Sequence, residues 1–354
     1  MTYTLEAMRD LFPQKFDTSN RTCWVVNYTP NEDGSRRFLL DLRNTRVVFN
    51  LKAENGPGDN PDTGETADWN VWEHQTSWLG YAMLGRPSGR HESGQYMLHA
   101  LPQDRSAPAD SKPCDVTALA RHLGTFNLFG TVFDGALIAQ GAMLTDATTA
   151  LTVNTPFPLP PGVRLTVDGH GLGLFCRIVK MFLDAEGSVT ASLGAIRTGA
   201  SAMWRLRVET PDGAWAVLEM VEGTSPALEA ILRLYEAAPA LLPVSATVPA
   251  HTLWARVPKK ATEIGLRVDE GLSLTRPEDP EAPPVNLRST TVGIGFAAVP
   301  VRPLGHALRL MGGNIVLMMG QPGCPVLAVS CTEPLSALIA PRVPYEVWQP
   351  LQAN

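Results

Sequence analysis

From residue 127 to 221, short apolar segments alternate with turn-forming residues about every ten positions, a cadence that predicts sheet in preference to helix. The clearest unit is 204–208 and 215–221 around Thr210-Pro211-Asp212-Gly213, where proline presets φ and glycine accepts a positive φ; it reads as a β-hairpin. Strands are predicted before it at 150–153, 163–167, 174–182 and 188–193, separated by Pro160-Pro161-Gly162, Asp168-Gly169 and Glu186-Gly187. Others are predicted at 23–28, 38–42, 46–51, 264–268, 290–298, 307–311, 314–319 and 326–331. No internal sequence repeat is visible, which argues against solenoids and propellers.

Helix signals are sparser. Thr4 caps a short segment ending before Pro13, and Asp115 caps one that runs to Gly124 with Val116, Leu119, Ala120 and Leu123 inward. A third begins at Ser225-Pro226, with Leu228, Ile231, Leu232 and Tyr235 on one face and Pro239 as its stop. Residues 239–258 read as a Pro-rich linker, 276–284 as an exposed loop and 341–351 as an extended tail. Residues 310–332 lack charge over a length that would span a bilayer, but their Gly and Pro content favours two buried strands joined at Gly320-Gln321-Pro322-Gly323. The pattern as a whole predicts an all-β, jelly-roll-like antiparallel β-sandwich with a few short helices. Its expected divisions are an N-terminal arm over 1–21, one sandwich over 22–340 and a C-terminal tail over 341–354.

Composition narrows the function classes. The 354 residues hold ample material for a core, with 44% hydrophobic and only 18% charged residues; 30 Gly and 30 Pro suit a turn-rich fold. The net charge is −6 and no run of four Lys or Arg occurs, so a basic nucleic-acid-binding arm is absent. Five dispersed cysteines and the absence of a basic-then-apolar N-terminus predict a reduced intracellular protein with no signal peptide.

Recognisable catalytic motifs are missing. Gly199-Ala200-Ser201-Ala202-Met203 lacks the closing glycine of a nucleophile elbow, and His91-Glu92 lacks the second imidazole of a zinc protease. Gly293-Ile294-Gly295 imitates a dinucleotide fingerprint, but Pro300 and Pro303 are expected to prevent the helix that would follow. Cys324 and Cys331 read as small core residues. From 53 to 85 the chain has no Lys or Arg but is rich in carboxylates, and Asp59, Asp62, Glu65 and Asp68 are candidate oxygen ligands for Ca2+ without EF-hand spacing; the alternative is a merely solvated loop. Arg164, Arg177, Lys180, Arg197, Arg205 and Arg207 fall in the central segments, and Arg256, Lys259 and Lys260 group in the Pro-rich linker. These last three are the candidate nucleic-acid contacts, with ordinary ion pairing as the alternative.

In strand cadence, short helices at 115–123 and 225–238, extended ends and Ala/Pro-rich size, the chain resembles the coat proteins of small icosahedral RNA viruses, among them those infecting dinoflagellates. That resemblance implies a non-enzymatic virion protein, many copies of which assemble in the host cytoplasm into a shell around genomic RNA, with no membrane span. It also implies that the acidic loop bridges subunits through Ca2+. Two other readings stand beside it. The segment 130–195, with a short helix at 135–143 and Asp134 or Asp146 as catalyst, is similar to a hot-dog acyl thioesterase; a lipocalin-like barrel would instead line an apolar cavity with Trp and Met.

Overall fold

The computed structural model describes residues 2–3, 23–26, 36–42, 45–53, 108, 110–124, 134–146, 148–198, 201–258, 260–277, 279, 281–321 and 323–341. In chain order the elements begin with β1 (Thr2–Tyr3), β2 (Cys23–Val26), β3 (Arg36–Leu42), β4 (Thr45–Ala53), β5 (Lys112–Pro113) and α1 (Thr117–Leu123). Next come β6 (Asp134–Ile138), β7 (Gly141–Thr145), β8 (Thr149–Val153), β9 (Leu165–Asp168), α2 (Gly169–Glu186), β10 (Thr190–Thr198), β11 (Ser201–Glu209) and β12 (Trp215–Glu222). The remainder comprises α3 (Pro226–Leu241), β13 (Val244–Pro249), α4 (Ala250–Arg256), β14 (Glu263–Val268), β15 (Leu272–Thr275), β16 (Val285–Leu287) and β17 (Thr290–Val292). It closes with β18 (Gly295–Pro300), α5 (Val301–Leu310), β19 (Asn314–Met319), β20 (Val326–Ser330) and β21 (Leu335–Ile339). The chain divides into two compact units: 1–140 with 156–224, and 141–155 with 225–354.

In the first unit β2, β3, β4, β12, β11, β10 and β5 pair side by side, antiparallel throughout. The predicted hairpin is β11 and β12, and Gly213 at its turn has φ +88°. β9 continues the β4 edge of β12 and pairs with β6. α2 lies over β4, β9 and β12; Leu172, Phe175, Val179 and Phe182 of the helix and Phe49 and Leu218 of the sheet are all buried. α1 packs on α2: a Cβ on Gly124 would stand 3.0 Å from the Cys176 carbonyl oxygen and 3.2 Å from Lys180 Cβ.

The second unit contains an antiparallel sheet ordered β17, β13, β19, β20, β21, β8, β7, and a four-stranded one ordered β16, β15, β14, β18. Every second residue of β13 is buried, as expected of a strand with one face on a core. α4 packs on α5, and α3 is tied down by the Tyr235 hydroxyl, 3.0 Å from Asn154 Oδ1 and 2.6 Å from Ser336 Oγ.

A motif recurs three times: a strand runs directly into a helix, and three antiparallel strands follow. It is seen in β9-α2-β10-β11-β12, β13-α4-β14-β15-β16 and β18-α5-β19-β20-β21. The junction residues Asp168, Pro249 and Pro300 share one extended conformation, with φ/ψ of −70/130°, −64/128° and −64/133°. The repetition that the sequence does not display is thus present in topology.

The chain is therefore mostly antiparallel β with a few helices, but it is not a jelly roll, because helices inserted after single strands replace the long strand crossovers of a two-sheet sandwich. Segment 174–182, expected as a strand, is the middle of α2. Asp168 caps it by accepting the His170 N–H at 2.9 Å, and Gly187 ends it at φ +72°. Segment 307–311, expected as a strand, lies largely in α5, whose N-cap is Pro300 and whose first turn holds Pro303; a first turn has no N–H acceptors for proline to disrupt. The expected linker 239–258 holds β13 and α4, and Pro239 does not stop α3, which runs on to Leu241. The helix expected at 135–143 is replaced by β6 and β7. The predicted helix after Thr4 lies outside the described residues.

Candidate nucleic-acid interface

Three of the five helices described hold a charge pattern opposite to that of the whole chain. α1, α4 and α5 contain no Asp or Glu, whereas the net charge of the protein is −6. α5 buries Val301, Leu304, Ala307 and Leu308 and places Arg302, His306 and Arg309 at i, i+4 and i+7, one stripe on the opposite side. Arg302 and Arg309 are exposed. α4 adds exposed His251 and Arg256, and Arg309 lies 5.1 Å above the Trp254 ring, a cation–π distance that fixes the guanidinium laterally.

Local electrostatics agree with this pattern. The His306 imidazole is pushed down to about 4 by burial and then by the Arg309 and Arg302 guanidiniums, with Asp146 opposing. His306 is thus neutral near pH 7 and leaves the two arginines as the charges of the stripe. In the first unit, α1 supplies exposed Arg121 and half-buried His122. α2 supplies Arg177 and Lys180; burial lowers the Arg177 guanidinium, and Lys180 pairs with Asp184 one turn on.

Arg256 ends α4, and exposed Lys260 follows it in a turn closed by Ala261 N–H to Pro258 O at 3.1 Å; Lys259 lies outside the described residues. Arg177 and Lys180 sit on a helix, not on the strands expected, and are adjacent in space to the end of α1. Asp59, Asp62, Glu65 and Asp68 all lie outside the described residues; among the described residues no group of three or more His, Cys, Asp or Glu could hold a metal. The α5 stripe was missed because its two prolines were read as helix breakers.

Proposed catalysts take structural roles. Asp146 Oδ1 accepts the N–H groups of Thr148 at 2.9 Å and Thr149 at 2.8 Å, fixing the β7–β8 turn, and Asp134 opens β6. Burial pushes the Cys114 thiol up to about 12 and raises Cys176 further, so neither supplies a thiolate nucleophile near neutral pH. Cys324 is half-buried and Cys331 exposed, so the expected core role fits neither. Among the described residues no helix is long and apolar enough to cross a membrane.

No family model matches the chain, and no curated protein matches its sequence. Solved structures do match it. The DNA polymerase III β subunit of Thermotoga maritima aligns over 96% of this chain and 98% of its own, with a TM-score of 0.57 at 11% identity. The β subunit of Pseudomonas aeruginosa aligns over 97% and 99%, with a TM-score of 0.55 at 12% identity. The β subunit of Borrelia burgdorferi aligns over 96% and 95%, with a TM-score of 0.52 at 10% identity. At these identities the likeness is one of fold.

The whole-chain match to sliding clamps overturns the resemblance to viral coat proteins, and with it the closed shell, the enclosed genomic RNA and the virion as the place of action. It equally displaces the hot-dog thioesterase and lipocalin alternatives. The expectation of a non-enzymatic protein agrees with neighbours of this kind.

Proposed function

We propose that this chain is a sliding-clamp-type processivity factor, copies of which close around duplex DNA and tether a polymerase to it. The observation that carries the reading is the exposed base on α1, α4 and α5, none of which contains Asp or Glu, in a protein of net negative charge. Arg302 and Arg309 on α5, with Arg256 at the end of α4 and Lys259 and Lys260 just after it in sequence, and Arg121, Arg177 and Lys180 in the other unit, are the groups assigned to phosphates. Contacts of this type position a protein on DNA without reading bases, which is what movement along any sequence requires. The acidic remainder repels the duplex, so DNA is favoured at the helix faces alone. The fold likeness to polymerase III β subunits supports the same reading.

The test is topological. Light scattering should give a closed oligomer, and protein assembled on nicked circular duplex should be retained through a salt wash and released when the circle is cut. A monomer at all concentrations, or retention that is indifferent to cutting, would remove the reading.

A further inference from the structure

Several arginines among the described residues are held by carboxylates: Arg205 by Glu219, Arg207 by Glu209, Arg233 by Glu229 and Arg267 by Asp269. Arg309 is held differently. No described carboxylate forms an ion pair with this exposed side chain, and its guanidinium lies 5.1 Å above the centre of the Trp254 indole. The difference matters chemically. A carboxylate occupies guanidinium N–H groups that a phosphate would have to win back. An aromatic face attracts the cation from one side and leaves those N–H groups unoccupied.

The ring reaches Arg309 because α5 has no side chain one turn earlier. A Cβ on Gly305 would stand 3.1 Å from Trp254 Cε3 and overlap the ring atoms beyond it. Gly305 follows Arg302 by three residues and precedes Arg309 by four, so the indole enters the basic stripe between its two arginines. The crossing point is the same in both repeats: Trp254 is the fifth residue after the junction Pro249, and Gly305 the fifth after Pro300. In α2 the fifth and ninth residues after Asp168 are Gly173 and Arg177, matching Gly305 and Arg309 after Pro300. A bare helix position with an arginine one turn on thus recurs in the motif. In the second unit α4 supplies the ring that fills it.

We propose that Trp254 is the positioning residue for Arg309: its indole holds the guanidinium on the face of α5 with the N–H groups unoccupied, ready for a nucleic-acid phosphate, and the contact at Gly305 sets where the ring stands. The proposal rests on the DNA reading above and adds to it a residue that touches no phosphate itself. Trp254 acts through Arg309 alone.

Two measurements on the full chain test this. In NMR spectra the Arg309 side-chain Nε–H signal, identified by its absence from Arg309→Ala, should be displaced upfield by the indole ring current. The displacement should persist in part in Trp254→Phe and vanish in Trp254→Leu. A parent signal at the ordinary arginine position overturns the proposal, and that result requires no Trp254 variant to fold. Binding of a labelled duplex at one fixed salt concentration should weaken about two- to five-fold in Trp254→Leu, the worth of a cation–π contact at an exposed site, with Trp254→Phe in between. In an Arg309→Ala chain the same Trp254→Leu change should have no further effect. An equal loss in both backgrounds overturns the proposal by reducing Trp254 to a structural residue. A loss in Arg309→Ala without one in Trp254→Leu overturns the positioning role alone. An Arg309→Ala chain that binds the duplex as the parent does overturns the DNA reading of α5 and the positioning role with it.

Discussion

Gly305 on α5 faces the indole of Trp254 on α4 so closely that a Cβ there would overlap the ring at Cζ3 and Cη2. The two helices meet at this point, and the same ring supports Arg309 from its face. Gly305→Ala adds about 1 kcal/mol of helix propensity, but overpacking against the ring that joins the two helices costs about 1–3 kcal/mol. The substitution should therefore destabilise the protein in urea unfolding, and Trp254→Leu in the same chain should recover part of the loss. A Gly305→Ala protein as stable as the parent would show that the helices are not in this contact.

Glu219 and Arg205 form an ion pair at 2.8 Å across β12 and β11, with only 5% and 12% of their side chains exposed. Removing one member strands the other charge in a desolvated position, at a cost of about 3–5 kcal/mol. Glu219→Ala should show this loss as a lowered urea midpoint. The double replacement Glu219→Leu with Arg205→Met should be much closer to the parent, since the pair is costly to bury in the first place. Equal losses for the single and double variants would contradict the account.

How much of this could be read in the sequence follows from what each residue had to signal. The β11–β12 hairpin was legible because alternation and Thr210-Pro211-Asp212-Gly213 agree, and α3 because Ser225 and Pro226 mark a start that no strand uses; the Ser225 hydroxyl accepts the Leu228 N–H at 3.3 Å. α2 was not legible. It is apolar nearly all round because sheet and α1 cover it, and its β-branched Ile178 and Val179 imitate a buried strand. Asp168-Gly169 and Glu186-Gly187 were recognised only as turns, although the same residue types cap helices. The repeat escaped notice because its junctions require only an extended residue after a valine, satisfied by Val167-Asp168, Val248-Pro249 and Val299-Pro300. The basic interface was hidden for the same reason: Arg302 and Arg309 share a face only if the segment is helical.

His306 provides a pH test. Its folded value of about 4 lies below the unfolded value near 6.5, so in that interval the unfolded chain binds the additional proton. The sign follows directly: the contribution is fully favourable above about 6.5, and stability is lost as pH falls towards 4. NMR titration should place the midpoint of His306 far below the 6.5 of an unperturbed imidazole, and Arg309→Ala should raise it. A midpoint near 6.5, unmoved by Arg309→Ala, would contradict the described field.

The arginines of α5 should appear in the salt dependence of DNA binding. Each phosphate contact contributes a slope of about −0.9 in log K against log salt. If Arg302 and Arg309 each meet one phosphate, the double Arg302→Ala, Arg309→Ala protein should bind a labelled duplex more weakly at every salt concentration, with a slope shallower by about 2. The loss should be nearly independent of DNA sequence, because phosphates bear no sequence information. Arg233→Ala is the matched control. It removes an exposed arginine from α3, where Glu229 pairs with it at 2.8 Å, and should leave both affinity and slope unchanged. An unchanged slope in the α5 double variant would exclude that helix face as the DNA contact, while an equal loss from Arg233→Ala would reduce the effect to net charge alone.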